Sequence, residues 1–258
     1  MYQLLDPSTF VVFITGATSG FGAAAARRYA EAGAKVIATG RREERLVELQ
    51  LELGAKNCHI IPLDVQDRAA MEQAIADLPP PFAGVNIVLA NAGLALGLQP
   101  AHETDLGDWE TMIATNITGL VYTVRLLLPG MIDRGGGHVV TLGSVAGDYP
   151  YPGGSVYGAT KAFAKQFALN LRSDVQGKNI RVTNIEPGLT ETEFSLVRFK
   201  GDEDKAAKPY AGTKAMNADD IAESIFWTTT LPAHVNVNRL QLMATTQAFG
   251  PFDIYREG

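Results

Sequence analysis

Short apolar segments alternate with longer helical patterns along almost the whole chain, and this alternation limits the possible folds more than any other feature. The short segments are rich in β-branched residues and apolar almost throughout, as in strands that are buried on both faces of a sheet. The predicted strands are Phe10–Thr15, Lys35–Thr39, Cys58–Pro62, Asn86–Ala90, His138–Leu142, Ile180–Ile185 and Leu240–Met243. The predicted helices are Phe21–Glu31, Glu43–Leu53, Arg68–Asp77, Trp109–Asp133, Ser155–Gln176 and Asp219–Thr230.

The alternation predicts an α/β fold, with a doubly wound parallel sheet of about seven strands flanked by helices. The length of 258 residues suits one domain of this kind, residues 1–258. Residues 188–217 interrupt the alternation, because they are rich in charge, glycine and proline and show no clear period. A long irregular segment in an otherwise regular domain is typical of a loop over a site, so we predict a substrate lid around 188–217.

Composition argues against several other classes of protein. The net charge is −6, whereas a general nucleic-acid binder normally has a basic surface. The single cysteine, Cys58, cannot form an intrachain disulfide, and with only four histidines a dedicated zinc site is not expected. The apolar stretch Gly119–Ile132 contains Arg125 and Pro129 and falls short of a membrane span, and Met1–Ser8 lacks the basic residue of a signal peptide. We expect a cytoplasmic protein with no metal, nucleic-acid or membrane partner.

The first predicted strand leads into a glycine-rich turn, Thr15-Gly16-Ala17-Thr18-Ser19-Gly20-Phe21-Gly22, and a helix follows. Glycines allow a tight turn and a close approach of the backbone to a pyrophosphate, while free N–H groups at the helix start face the anion. The alternative is a strand–helix turn that binds nothing. In this context we favour a dinucleotide site that includes Gly16, Thr18, Ser19, Gly20, Phe21 and Gly22.

The residues after the next three strands indicate which dinucleotide would bind. A carboxylate at the end of strand two binds a ribose 2′-hydroxyl, whereas a basic residue accommodates a 2′-phosphate. Arg41 and Arg42 occupy this place, which favours NADP over NAD unless the arginines are simply solvated. Asp64-Val65 after strand three is either an adenine contact or a helix cap, and Asn91-Ala92-Gly93 after strand four would lie beside the cofactor.

A second set of polar residues has the chemistry of proton transfer. Tyr157 and Lys161 are four residues apart, so they share one face of a helix. A free tyrosine has a pKa near ~10, which a neighbouring ammonium and an oxidised nicotinamide would lower. Ser144, at the end of strand five, can hydrogen-bond a substrate oxygen, and Asn116 can hold a water that passes protons from Lys161.

Each of these four residues also has a purely structural interpretation. Tyr157 and Lys161 would be a surface pair, Ser144 a helix cap and Asn116 a hydrogen-bonded core amide. Their joint order and spacing favour the catalytic interpretation.

Six sets of residues together point to a known family: Thr15-Gly16-x-x-x-Gly20-x-Gly22, Asn91-Ala92-Gly93, Asn116, Ser144, Tyr157-x-x-x-Lys161 and Pro187-Gly188. With them the chain resembles the short-chain dehydrogenase/reductase family along nearly its whole length. The resemblance implies a Rossmann-type subunit, usually in a homotetramer, with a catalytic set of Asn116, Ser144, Tyr157 and Lys161. It further implies cofactor contacts from Tyr157, Lys161, Pro187, Gly188, Thr190 and Thr192. One departure is Ala90, where the family often has asparagine, and it removes no catalytic group.

A narrower resemblance covers the second half of the chain. It rests on segments 92–97, 149–154, 186–188, 192–194, 197–201 and 231–236. These segments are similar to those of the bacterial NADP-dependent 3-hydroxy acid (serine/allo-threonine) dehydrogenases and of their sister group, the sulfoacetaldehyde reductases. Thr190 follows the Pro-Gly turn without the extra glycine associated with the first group, which slightly favours the second.

Three residues are candidates for binding the substrate. Arg198 lies in an apolar part of the predicted lid and can clamp a carboxylate or sulfonate, unless it forms a surface salt bridge with Glu193 or Asp202. Gln247, after the last strand, would donate to the same anion or lie at a subunit interface. Tyr151 would close the pocket, hydrogen-bond the anion, or simply pack.

The sequence therefore predicts an NADP(H)-dependent oxidoreductase that interconverts a short anionic aldehyde and its hydroxy acid, with Tyr157 as the acid/base. The candidate pairs are sulfoacetaldehyde with isethionate and malonic semialdehyde with 3-hydroxypropionate. The alternatives are a reductase of neutral or bulky carbonyl compounds and a non-catalytic NADP-binding sensor. The presence of both Tyr157 and Lys161 argues against the sensor.

Overall fold

Seven parallel strands form one sheet in the computed structural model, which describes residues 3–249. Their order across the sheet is β3-β2-β1-β4-β5-β6-β7. The strands are β1 (Val11–Thr15), β2 (Lys35–Gly40), β3 (Cys58–Pro62), β4 (Ile87–Ala90), β5 (Gly137–Leu142), β6 (Ile180–Pro187) and β7 (Arg239–Leu242). Because the order reverses between β1 and β4, a crevice opens there at the carboxyl ends of the strands. The predicted Rossmann-type fold class is confirmed.

Helices cover both faces of this sheet. They are α1 (Gly20–Glu31), α2 (Glu43–Leu53), α3 (Arg68–Ala76), α4 (Leu106–Ile113), α5 (Leu120–Asp133), α6 (Ser155–Asp174), α7 (Phe194–Arg198), α8 (Glu203–Ala207) and α9 (Ala218–Thr230). A π-helical segment, Ala114–Gly119, joins α4 to α5. The segment 188–217 is less irregular than the sequence suggests, because it contains α7, α8 and a short 3-10 turn, and a bridge between Thr190 and Met216 joins its two ends.

The side chains of each inner strand point alternately into two apolar layers. In β1, Val12 and Ile14 face the layer formed with α1 and α9, whereas Phe13 faces the layer formed with α5 and α6. All three side chains are fully buried. A sheet buried on both faces explains why its strands lack a polar–apolar alternation.

The continuous helical stretch Leu106–Asp133 is longer than the Gly119–Ile132 stretch considered in the sequence. By length and composition alone it could cross a membrane, with a mean hydropathy of 1.3 over an 18-residue window. A core helix of an α/β protein satisfies the same criterion. Here Val124, Leu127 and Met131 pack into the core layer with Val88 and Val139 of the sheet, so we interpret the stretch as a core helix.

Candidate active site

A cavity of about 370 Å³ opens at the carboxyl ends of the strands, where the sheet order reverses. Most of the predicted site residues line it, although they come from turns that are far apart in the sequence. They are Gly16, Thr18, Ser19, Gly20, Phe21, Arg41, Arg42, Asp64, Val65, Asn91, Ala92, Gly93, Ser144, Tyr157, Lys161, Pro187, Gly188, Thr190 and Thr192. Five predicted residues are not part of this lining: Gly22, Asn116, Tyr151, Arg198 and Gln247.

The turn after β1 has the geometry that a pyrophosphate requires. Gly16 and Gly20 have φ values of +68° and +51°, which side-chain-bearing residues rarely adopt. Gly22 lies behind the turn, where a Cβ atom would come within 2.3 Å of the Gly16 carbonyl oxygen. The Asn91 side chain donates to the carbonyl oxygens of Thr15 and Gly16 and so supports the turn from behind. The open cradle in front of the turn therefore fits a dinucleotide.

Arg41 and Arg42 lie at the far end of this cradle. Arg42 donates to the Thr18 hydroxyl from Nε at 3.3 Å and from Nη2 at 3.1 Å. Its Nη1 donates to Glu193 at 2.9 Å. Arg41 is mostly exposed and lies 4.0 Å from the Asp64 carboxylate. Both guanidinium groups are thus within the cavity lining and suit a 2′-phosphate.

Asp64 and Val65 follow β3 and line the same cavity. Asp64 accepts a hydrogen bond from the Gln66 backbone, whereas the cap of α3 is Asp67, whose side chain accepts from Ala70. The helix-cap interpretation of Asp64 is therefore wrong. Val65 packs against the π-helical segment so closely that a Cβ atom on Gly119 would lie 2.5 Å from its side chain.

Tyr157 and Lys161 lie together on α6 and are buried, so they are not a surface pair. The Lys161 Nζ atom donates to the Leu142 carbonyl at 2.8 Å and lies 5.8 Å from the centre of the Tyr157 ring. Burial raises the pKa of Tyr157 to about 12, against opposing effects of the Arg198 charge and a hydrogen bond with Ser144. Burial also lowers the pKa of Lys161 to about 8.

These shifts differ from the sequence-based argument for a tyrosine pKa lowered by Lys161. In the protein alone the loss of solvation outweighs every nearby charge, and the charge that counts most on Tyr157 is that of Arg198. Ser144 acts both as the cap of the 3-10 turn Val145–Gly147, accepting from Ala146 at 3.1 Å, and as part of the cavity lining.

The Asn116 side chain is hydrogen-bonded within the protein. Its Oδ1 accepts from Leu94 N at 2.9 Å, and its Nδ2 donates to Leu94 O at 2.8 Å and to the Thr160 hydroxyl at 3.0 Å. The side chain is thus a hydrogen-bonded core amide, and a water held at Asn116 stays a prediction. The amide ties the strand-four turn to the π-helical segment and to α6 beside Lys161.

Arg198 and Tyr151 meet beside Tyr157, just outside the main cavity. Arg198 Nη2 donates to the Tyr151 hydroxyl at 3.1 Å, and the guanidinium lies 5.0 Å from the centre of the Tyr157 ring. Its Nε atom is buried and has no hydrogen-bond partner within residues 3–249. The alternative salt bridges of Arg198 are not formed, because Glu193 pairs with Arg42 and Asp202 with Lys205.

Gln247 is held at the base of the lid. Its side-chain oxygen accepts from the Leu189 backbone at 2.7 Å and would lie 2.3 Å from a Cβ atom on Gly188. That oxygen holds the turn after β6, and donation from the Gln247 amide nitrogen to an anionic substrate stays a prediction.

Several residues that the sequence did not single out also line the cavity. They are Gly40, Leu63, Leu94, Thr115, Leu142, Gly143, Glu193, Phe194 and Val197. Gly40, Leu63 and Gly143 directly adjoin predicted residues, so extending each motif by one position would have found them. Glu193 and Phe194 directly follow the predicted residue Thr192 in the sequence. Within residues 3–249 no three potential metal ligands cluster.

Comparison with known proteins places this geometry in a family. A family model described as short chain dehydrogenase matches residues 10–202. The NADP-dependent 3-hydroxy acid dehydrogenase YdfG of Escherichia coli strain K12 is 54% identical over 248 residues, 96% of this chain and 100% of that protein. Sulfoacetaldehyde reductase 2 of Chromohalobacter salexigens is also 54% identical, over 96% of this chain and 99% of its own length.

Solved structures agree with the sequence comparison. The closed form of a serine dehydrogenase complexed with NADP+ matches with a TM-score of 0.94 and 54% identity, over 95% of this chain and 99% of that one. The glycine turn after β1 and the crevice at the reversal of strand order belong to the Rossmann-type subunit that the sequence resemblance implies. The chain belongs to the short-chain dehydrogenase/reductase family of oxidoreductases.

Proposed function

We propose that this protein is an NADP(H)-dependent oxidoreductase that interconverts a short anionic aldehyde and its hydroxy acid. One observation carries the substrate class: the Arg198 guanidinium lies 5.0 Å from the Tyr157 ring with a buried, unpartnered Nε. A buried polar N–H group without a partner is costly, and a carboxylate or sulfonate oxygen would satisfy it. The curated relatives named above act on substrates of this kind by name.

The cofactor assignment rests on the cradle and on the two arginines. The glycine turn would hold the pyrophosphate, and Arg41 and Arg42 would hold the 2′-phosphate, with Asp64 and Val65 beside the adenine. Thr190 and Thr192 would cover the nicotinamide end, opposite Asn91, Ala92 and Gly93. Bound NADPH supplies a hydride to the carbonyl carbon.

Tyr157 and Ser144 would act on the carbonyl oxygen. Ser144 accepts from the Ala146 backbone. Its own hydrogen makes a long contact of 3.4 Å with Pro187 O and is also within reach of Tyr157, so it can turn to a substrate oxygen held beside Tyr157. Tyr157 is protonated at neutral pH because burial holds its pKa at about 12, and it donates that proton as the oxygen gains charge. One hydride and one proton convert the aldehyde to the alcohol.

The remaining proposed residues position these groups. Lys161, with a pKa of about 8, can exchange a proton near neutrality, and Asn116 fixes the turn beside it. Arg198 would clamp the acid group, and Tyr151 would hold Arg198 in place through their hydrogen bond. Gln247 would contribute by fixing the lid base.

The decisive experiment compares three aldehydes of similar length with NADPH: sulfoacetaldehyde, malonic semialdehyde and a neutral aldehyde. We expect kcat/KM for one anionic aldehyde to exceed that of the neutral one by about 100-fold, roughly 2.7 kcal/mol. Arg198→Ala should abolish most of this preference and Arg198→Lys should retain part of it. Equal rates with the neutral aldehyde would favour a reductase of neutral or bulky carbonyl compounds instead.

Three broader proposals accompany this function. Residues 1–258 would act as one NADP-binding domain, the subunits would form a homotetramer as the family resemblance implies, and the protein would be cytoplasmic. Sedimentation velocity tests the second, since a tetramer has four times the 27.6 kDa of one chain.

A further inference from the structure

Glu193 forms an ion pair with Arg42 across the cavity. The sequence analysis considered this lid residue only as a partner for Arg198. The Glu193 carboxylate accepts from Arg42 Nη1 at 2.9 Å. Glu193 precedes α7, but its side chain makes no capping hydrogen bond to that helix. Both residues line the cavity, and a little under half of each side chain is exposed, 42% for Arg42 and 44% for Glu193. The pair therefore joins the lid to an arginine that is expected to bind the cofactor's 2′-phosphate.

Arg42 is held from two sides by different parts of the chain. The turn after β1 holds it through the Thr18 hydroxyl, and the lid holds it through Glu193. The contacts with Thr18 do not depend on Glu193, so Arg42 stays oriented toward the cavity when the carboxylate is removed. An approaching phosphate thus meets an arginine that is already in place and already neutralised by a lid carboxylate.

We propose that Glu193 limits the preference for NADP(H) over NAD(H) and couples cofactor binding to the lid, because its carboxylate competes with the cofactor's 2′-phosphate for Arg42. This inference rests on the NADP assignment made above. A phosphate dianion with several acceptor oxygens is a stronger partner for a guanidinium than one carboxylate, so the phosphate displaces Glu193. A cofactor without the 2′-phosphate leaves the Arg42–Glu193 pair intact.

Two consequences distinguish this arrangement from an ordinary surface ion pair. Glu193 lowers the affinity for NADP(H), since its pair with Arg42 must break and its charge repels the phosphate. It does not lower the affinity for NAD(H). In addition, phosphate binding releases the start of α7 from the turn after β1. The start of α7 is four residues from Arg198, the proposed substrate clamp, which lies in the same helix.

The test is a binding titration of the full chain without substrate. NADPH and NADH are titrated by nucleotide fluorescence, and adenosine 2′,5′-bisphosphate and 5′-AMP by competition. In Glu193→Gln we expect NADPH and the 2′,5′-bisphosphate to bind about two- to fivefold more tightly, the range of a partly exposed ion pair. NADH and 5′-AMP should be unchanged. The gain should shrink at about 1 M salt, where charges are screened.

Glu191→Gln is the matched control, because Glu191 lies two residues away in the same lid, is exposed, and is separate from the cavity lining. It removes the same charge and should leave all four affinities unchanged. Weaker or unchanged NADPH binding in Glu193→Gln would overturn the proposal, as would an equal gain for NADH. A wild-type protein without preference for NADPH over NADH would overturn both this inference and the cofactor assignment, whatever the substrate proves to be.

Discussion

Burial sets the protonation state of the residue that is proposed to transfer the proton. Tyr157 is almost fully buried, and the loss of solvation holds its pKa at about 12. The neutral phenol is the form that donates a proton to a carbonyl oxygen. The reverse reaction needs the phenolate, which becomes more populated as the pH rises.

The two directions should therefore respond differently to pH. Between about pH 6 and pH 8, titration of Tyr157 should leave kcat/KM for aldehyde reduction nearly constant. The kcat/KM for alcohol oxidation should rise steadily over the same range. Rate measurements in both directions across this range check the expectation. Tyr157→Phe should lose about 10²–10⁴-fold of turnover and retain NADPH binding. A Tyr157→Phe protein with most of its turnover would contradict the assigned role.

At Gly22 the expected effect follows from a single distance. A Cβ atom there would lie 2.3 Å from the Gly16 carbonyl oxygen, so Gly22→Ala forces the phosphate-binding turn to move. Overpacking of this kind costs about 1–3 kcal/mol, and we expect NADPH binding to weaken by at least about tenfold. Gly84→Ala is the control, because no atom lies within 4 Å of its added Cβ. Equal losses in both variants would exclude a local effect.

The type and order of the elements could be predicted from the sequence because each is long enough to show its period. Helix α2 and strand β3 have the predicted bounds, and most other ends differ by one to three residues. Helices α7 and α8 could not be predicted, since five residues make little more than one turn and show no period. The partners of Asn116 and Glu193 were hidden for another reason: they lie 22 to 151 residues away in the sequence.

The start of α9 should contribute measurably to stability. Asn217 accepts hydrogen bonds from the backbones of Asp219 and Asp220, and Asp220 accepts from Asn217 N, which completes a capping box. Asn217→Ala should lower the free energy of unfolding by about 1 kcal/mol. Urea denaturation tests this, and Asn217→Asp should restore most of the loss because it keeps the acceptor oxygen. If Asn217→Ala left the free energy of unfolding unchanged, the cap would make no net contribution to stability.

At the scale of the whole molecule, a buried cation joins the sheet to its last long helix. Arg181 of β6 donates to the carbonyl oxygens of Thr228, Thr229 and Leu231 at the end of α9. These carbonyls carry the negative end of the helix dipole and would otherwise lack partners. The arrangement fixes the end of α9 to β6, the strand beside the edge strand β7. It also places a positive charge beside His138, the register partner of Arg181 on β5.

His138 should make the fold sensitive to acid. Burial, and then the charge of Arg181, hold the pKa of His138 well below its usual value, while its Nε2 atom pairs with the Thr183 hydroxyl at 2.7 Å. In the unfolded chain the imidazole takes up a proton below about pH 6.5, whereas the buried ring does not. Stability is therefore lost as the pH falls from about 6.5 toward the lowered pKa, by up to about 1.4 kcal/mol per pH unit.

Urea denaturation of wild type and His138→Gln at about pH 7.5 and pH 5.5 isolates this contribution. The carboxylates that titrate in the same range are common to both proteins and cancel in the comparison. The wild type should lose about 1 kcal/mol more than His138→Gln on acidification. His102→Gln, at an exposed position, should keep the wild-type dependence. If His138→Gln were as acid-sensitive as the wild type, the buried ring would have to be protonated in the folded protein, with Arg181 shielded from it by the carbonyl oxygens at the end of α9.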